Sequence, residues 1–277
     1  MDEVSALVRQ QDRDRYLASL FAPEAKRPHL LALYAFSAEI SRIASQVSEP
    51  HLAEIRLQWW MDTIDGLYHG DAQAHPVAQA LGRAIVEGDI PKHALMNLAK
   101  AHQFDFYSDA MPSLHDLEAY LGETASSLIQ MTAMVLDKDA ALECQEASGL
   151  AGVAYGMGRL FNALPLAMRL RQGFLPLELL AQRGVLPDKV AEPEQEAAVG
   201  VVLADLRLRA QDRLAQLRRV TFTIKPPVAP AFLHVALAEA YLARAARLGA
   251  GMLTRGCDIS QLRKQWLLWK AAKSEEF

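Results

Sequence analysis

Along most of this chain the apolar residues recur at steps of three and four, and nowhere do they alternate over a useful length. That spacing belongs to helices that turn one face into a core. It predicts an all-α protein, one domain over residues 1–277, built from about ten helices. The most informative stretch is Leu33–Pro50. Leu33, Phe36, Ile40, Ile43 and Val47 form an apolar stripe, which predicts one long helix stopping near Ser48. Beside it runs a second line, Ser37, Ser41, Ser45 and Ser48, with Arg42 in the same region. Small hydroxyls carry no charge and hold a metal ion poorly.

The remaining pattern divides readily. Met1–Phe21 reads as a helix, and its charged cluster Asp12, Arg13, Asp14 and Arg15 reads as a solvated face. Pro50 opens a helix whose apolar side is Ile55, Trp59, Ile64 and Leu67. Asp62 and Asp65 form a DxxD on it, either a surface pair or a magnesium-holding one. Pro91 opens a helix through Phe106, with Asp105 and Asp109 near its end. Ser113 and Asp116 have the form of a capping box. The helix behind them carries small residues, Gly122, Ala125, Ser126 and Ser127, which admit a ligand or a neighbouring backbone. The longest run spans about Ala140 to Arg171 and contains Pro165, which predicts a kink. After a break at Gly173 and a short helix from Pro176, a polar loop precedes a helix over about Glu194–Val220. That helix bears Arg207, Arg209, Arg213, Arg218 and Arg219. A basic amphipathic helix can lie on anionic lipid, though a solvated face is the more ordinary reading. Two more helices follow, Ala231–Gly249 and Asp258–Lys273, the second capped by Asp258 and Gln261.

Composition narrows the function classes. The chain has 277 residues, 51% hydrophobic and 22% charged, with a formal net charge of −4. It is long enough for a substantial core, and its mild charge argues against a nucleic-acid binder. Two cysteines, Cys144 and Cys257, suit a reducing compartment and give no metal-ligand spacing. The acidic start MDEVSALVRQ lacks the features of a secretory signal or transit peptide, and no run of apolar residues is long enough to span a bilayer. A bacterial cytoplasmic protein, peripheral at the inner membrane if its basic helix meets lipid, is the resulting expectation. No glycine-rich phosphate loop follows a strand, and the histidines show no HxxxH or HExxH.

In their order, several segments resemble the squalene/phytoene synthase family. YLASLFAPEAKRPHLLALYAF resembles its N-terminal helix pair. LQWWMDTIDGLYHGDAQAHPVAQAL is similar to its third-helix block. Asp105 followed by SLHDLEAYLGETASSLIQM resembles an Asp ahead of a Tyr-containing helix with a small-residue kink. LAGVAYGMGRLFNALPLAMRLRQGFLPLELLAQRGV is similar to the block that holds the family's second acidic motif. The resemblance implies an all-α isoprenoid synthase fold with a central cavity, lined by residues such as Tyr34, Ser37, Asp105, Ser126, Phe161 and Asn162. It also implies prenyl diphosphate chemistry with magnesium held between two Asp-rich motifs.

At both motifs this sequence departs from the family. The positions after Tyr34-Ala35-Phe36 that match the first acidic set read Ser41, Arg42 and Ser45. The second set, after Asn162, is replaced by Pro165, Leu166, Ala167, Met168, Arg169 and Leu170. Loss of both carboxylate sets, at Ser41, Ser45, Leu166 and Leu170, implies a scaffold without catalytic residues, metal or cofactor. The strings around Val47-Ser48-Glu49 and Glu123-Thr124 are similar to the non-catalytic branch of the family, represented by a mitochondrial complex I assembly factor. That narrower resemblance implies an accessory role for respiratory NADH:quinone oxidoreductase, with complex I subunits as partners and an isoprenoid or lipid as ligand. The alternative is a prenyl diphosphate transferase with a relocated Mg2+ site among Asp62, Asp65, Asp105 and Asp109.

Overall fold

A computed structural model describes residues 3–47, 49–71 and 74–274. Sixteen α-helical segments make up the fold among the described residues. In chain order they are α1 (Glu3–Gln11), α2 (Arg13–Ser19), α3 (Arg27–Ser41), α4 (Ile43–Gln46), α5 (Pro50–His69), α6 (Pro76–Gly88), α7 (Lys92–Ala101) and α8 (Leu114–Leu121). Then come α9 (Ser127–Leu136), α10 (Lys138–Glu143), α11 (Gln145–Arg169), α12 (Leu177–Ala181), α13 (Glu196–Val220), α14 (Ala238–Leu248), α15 (Met252–Arg255) and α16 (Gln261–Ser274). The number exceeds the expected ten because several predicted helices are broken. Met1–Phe21 breaks at Asp12, whose carboxylate accepts from the Arg15 backbone and starts α2. The Leu33–Pro50 helix breaks at Arg42, and the Ala140–Arg171 run breaks at Cys144. The expected helix end at Ser48 lies outside the described residues.

α11 is the central element. It packs against α9, α13, α14 and α15, so it is buried on nearly every side. Ala151, Ala154, Tyr155, Met157 and Phe161 of α11 are all sealed from solvent. Burial of each large side chain in such a core contributes roughly 1.5–3 kcal/mol. Pro165 lies inside α11. Its missing N–H and its ring weaken the turn above it.

The capping box holds: the Ser113 hydroxyl accepts from the Asp116 backbone N–H at 3.1 Å. The small-residue patch behind it becomes one π turn, Gly122–Ser126, between α8 and α9. Its purpose is close packing. Gly152 of α11 lies directly under Ser126, and a Cβ there would overlap the Ser126 backbone. The Ser126 hydroxyl donates to the Gly149 carbonyl at 2.9 Å, so this serine bonds to the neighbouring helix.

Three further expectations change. On α5 the buried stripe is Ala53, Leu57, Trp60 and Ile64, while Ile55 and Trp59 are exposed at 63% and 45%. Ile64 is buried and Leu67 packs against the core as expected, so the difference is confined to the first half of the helix, where Leu57 and Trp60 replace Ile55 and Trp59. On α13 three of the five arginines are ion-paired, and Arg207 bonds to Gln211 of its own helix. Arg209 and Arg213 both grip the Glu118 carboxylate of α8 at 2.8–2.9 Å, and Arg218 pairs with Glu239. The last helix is started by Ser260, which accepts from the Arg263 N–H, rather than by Asp258 and Gln261. Among the described residues no helix is long and apolar enough to cross a membrane.

Candidate functional site

A cleft of about 320 Å3 opens between α3–α4, the π turn and the C-terminal half of α11. The volume falls at the low end of small-molecule pockets. The break at Arg42 shapes one wall. It carries Ser37, Ser41, Arg42 and Ser45 to the cleft. Opposite stand Leu160, Leu166 and Leu170 of α11, with Leu121 and Ala125 closing the side. The structure therefore brings together all five positions where the acidic motifs are replaced. Ser41 and Ser45 point their hydroxyls back to the Ala38 and Arg42 carbonyls, at 3.2 and 2.9 Å. Both are satisfied by their own helix.

Of the six residues expected to line a cavity, Ser37 and Asp105 do so. Tyr34 and Phe161 are packed into the core instead, at 1% and 0% exposure. Ser126 faces Gly149, as described above. Asn162 lies against Gly256, where its carbonyl and side-chain oxygen crowd the glycine. These four corrections share one cause. α11 and its neighbours approach so closely that side chains one turn from the cleft already belong to the interior.

The floor of the cleft is ionic, and the sequence reading missed it. Asp12, Asp14 and Arg15 are buried, not solvated. Asp12 and Arg15 pair at 2.8 Å, and the Arg15 guanidinium lies 5.3 Å from the Tyr155 ring centre. Asp14 is entirely enclosed. It accepts from the Tyr155 and Tyr241 hydroxyls at 3.0 and 2.5 Å and from the Lys264 ammonium at 2.8 Å. Arg159 approaches the oxygen that the two tyrosines share, Oδ2, at 3.5 Å. Burial would raise the Asp14 pKa. The charges of Arg159 and Lys264, and the hydrogen bonds from Lys264 and Tyr241, outweigh it and hold the pKa at about 2. One signal could have revealed this: Asp14 shares a helix face with Leu17 and Ala18, three and four residues on, and both are core positions.

On the far wall Asp105 is tied up by its neighbours. His102 Nδ1 lies 2.6 Å from one carboxylate oxygen, the Tyr120 hydroxyl donates to the other at 2.9 Å, and the Gln172 amide donates to its backbone carbonyl at 2.8 Å. Gln172 follows the end of α11, and Gly173 next to it presses on Ala110 without room for a Cβ. This contact fixes the lip of the cleft.

Magnesium clusters need several carboxylate oxygens aimed at one point. This donor set does not fit one. The carboxylates lining the cleft are Asp12 and Asp105, and each is already paired. Arg15, Arg42 and Arg159 share the same space. Among the described residues no three His, Cys, Asp or Glu side chains gather to hold an ion. The relocated site fares no better. Asp62 accepts from Gln58 on the outside of α5, Asp65 pairs with Lys92, Asp109 is exposed, and none of the three lines the cleft.

The all-helical fold and this central cleft define an isoprenoid-synthase type of scaffold. The squalene/phytoene synthase profile matches residues 8–269, and the chain belongs to that family. Among solved structures, the fold is similar to a squalene synthase from Alicyclobacillus acidocaldarius. The TM-score is 0.74 at 20% identity, over 89% of this chain and 92% of that one. It is also similar to a dehydrosqualene synthase in complex with ligand, with TM-score 0.82 at 16% identity, over 98% and 94% of the two chains. In sequence the chain is 30% identical over 237 residues to the Bos taurus NADH dehydrogenase (ubiquinone) complex I assembly factor 6, covering 85% of this chain and 71% of that protein.

Proposed function

We propose that this chain is an accessory factor for assembly of respiratory NADH:quinone oxidoreductase, and that it uses the family scaffold for binding rather than catalysis. It works in the cytoplasm, at the inner membrane where that complex is built. The observation that carries the reading is the conjunction of two facts. The similarity to complex I assembly factor 6 runs through most of the chain. The cleft keeps its apolar walls while serines and leucines occupy the positions of both acidic motifs. A leaving diphosphate there would find no metal to neutralise it. An isoprenoid or lipid tail would still find Leu121, Leu160, Leu166 and Leu170, with the polar Arg42 and Arg159 at its head.

Removal of the chain from its source cell tests this. Membrane NADH:quinone activity should fall and should return with a plasmid-borne copy, while squalene- and phytoene-type products stay unchanged. Normal oxidoreductase activity together with loss of a prenyl product would overturn the proposal.

A further inference from the structure

Exposed apolar side chains fall into line on two helices: Leu52, Ile55 and Trp59 on α5, which also carries Glu54, Asp62 and Asp65, and a second set on α16. The helix turns Lys264, Leu268 and Ala271 inward, at steps of four and three. Leu262, Trp266 and Trp269 repeat that spacing on the opposite face, at 79%, 57% and 50% exposure. Lys273 extends the line, with its ammonium 4.2 Å from the Trp269 ring centre. Arg263 and Lys270 run along one flank, and no acidic residue occurs anywhere in α16. A second element adds to this edge. The end of α13 shares a hollow with α16, lined by Arg218 and Thr221 on one side and Lys270 and Ser274 on the other; Glu239 also lines it and pairs with Arg218, so Lys270 is its uncompensated charge among the described residues. Phe222, next in sequence, is 75% exposed.

Two indoles and a leucine held in water on one helix face leave hydrophobic free energy unrealised. A protein partner would need more. Three part-exposed side chains on a convex helix present far less than the roughly 800 Å2 per partner that a stable complex buries. A bilayer makes no such demand, because its boundary accepts a single amphipathic stripe. Indoles settle at the headgroup level, where a flat apolar ring and a polar N–H are both satisfied. Lysine and arginine stems lie along the apolar boundary and deliver their charge to phosphate. An acid-free basic helix complements an anionic surface.

We propose that α16 is a peripheral membrane-docking helix. Leu262, Trp266 and Trp269 enter the boundary of an anionic bilayer, and Arg263, Lys270 and Lys273 meet its phosphates. This surface replaces the arginine face of α13, where Glu118 already holds Arg209 and Arg213. The proposal goes beyond the accessory-factor reading and does not depend on it.

Flotation of the full chain with vesicles tests it. The chain should rise with phosphatidylcholine vesicles that contain phosphatidylglycerol, and not with phosphatidylcholine alone. Trp266→Ser combined with Trp269→Ser should lower the bound fraction about tenfold. Lys270→Gln with Lys273→Gln should also weaken it, as should high salt. Trp59→Ser, exposed on α5, should bind like the parent. Thermal melts check that each variant is folded, which their exposed positions favour. Absence of flotation, equal flotation with neutral vesicles, or undiminished binding by the tryptophan pair variant would overturn the proposal. So would loss of self-association by that variant in lipid-free sedimentation, which would assign the stripe to a second copy of this chain.

Discussion

The Lys264 ammonium sits 2.8 Å from the Asp14 carboxylate, although the two residues are 250 positions apart in the chain. Both side chains are sealed, at 3% and 0% exposure. Each makes the burial of the other tolerable. Loss of Lys264 leaves Asp14 with Arg159 alone as a charged partner, and loss of Asp14 leaves Lys264 with Asp258 alone, 2.6 Å away; breaking a buried pair in this way costs up to about 3–5 kcal/mol. Lys264→Met should therefore lower the denaturation midpoint sharply. Asp14→Asn should do the same, since Arg159 loses its buried carboxylate and Lys264 keeps only the half-exposed Asp258. Urea denaturation of both single variants measures the loss. A drop below about 1 kcal/mol, the range of an exposed pair, would contradict the burial of this contact.

Acid should unfold the protein in two stages. His234 is fully buried, and neither ring nitrogen has a hydrogen-bond partner. Burial, with the Arg15 charge, pushes its pKa well below the ordinary 6.5. The unfolded chain thus binds a proton near pH 6.5 that the folded chain refuses, and stability falls as pH drops below that point. Asp14 acts lower. Its folded pKa of about 2 lies below the ordinary 3.8, so its stabilisation is complete above pH 4 and disappears as pH falls toward 2. Urea midpoints at pH 7, 5.5, 4 and 3 should trace both steps. His234→Phe keeps the edge-on packing against Tyr155, whose ring lies 4.5 Å away, and removes two unsatisfied nitrogens. It should flatten the first step and leave the second in place.

Two glycines three residues apart on α11 should respond in opposite ways. Gly152→Ala forces a methyl into the Ser126 backbone and should destabilise by about 1–3 kcal/mol or more. Gly149→Ala meets nothing within 4 Å and should stabilise by up to about 1 kcal/mol through helix propensity. Thermal melts of the two variants give the comparison. A neutral Gly152→Ala would mean that the π turn yields more easily than its packing indicates.

Restoring one acidic set should not restore metal binding. Ser41→Asp with Ser45→Asp places two carboxylates on the α3–α4 wall, but Leu166 and Leu170 still face them from α11. Calorimetry with farnesyl diphosphate should show no magnesium-dependent binding for this variant. Strong magnesium-dependent binding would show that one wall suffices and would reopen the catalytic reading.

Much of the fold was legible in the chain. α5 and α13 stand close to where the sequence placed them; on α5 the bounds come from Pro50 in the first turn and the left-handed Gly70 at the end, not from the stripe. Ser113 and Asp116 form their cap because its chemistry is local. The misses follow from contacts that local spacing cannot express. Trp59 and Trp60 are adjacent and equally apolar, so a one-residue register difference decided which was buried. Arg42 breaks its helix without a proline or glycine to announce it. Asp14 looked solvated because its partners Tyr155, Tyr241 and Lys264 lie 141 to 250 residues away. The cleft was legible where residues depart from the family pattern, at Ser41, Ser45, Leu166 and Leu170. Its ionic floor was not, since the Asp12–Arg15 pair looks the same on a surface as in a core and Asp14 serves distant partners.

The enclosed Asp14 also sets an order of events during synthesis. Ribosomes release a chain from its N-terminus, so α2 emerges long before α11, α14 and α16. Until Tyr155, Tyr241 and finally Lys264 arrive, docking α2 would place a carboxylate in a dry interior with too little to balance it. Native seating of α2 is therefore coupled to the later arrival of α11, α14 and α16. The helix that gives Lys264 to Asp14 is the one whose other face carries Trp266 and Trp269. Closure of the buried charge and the outward fixing of the two tryptophans thus depend on the same helix.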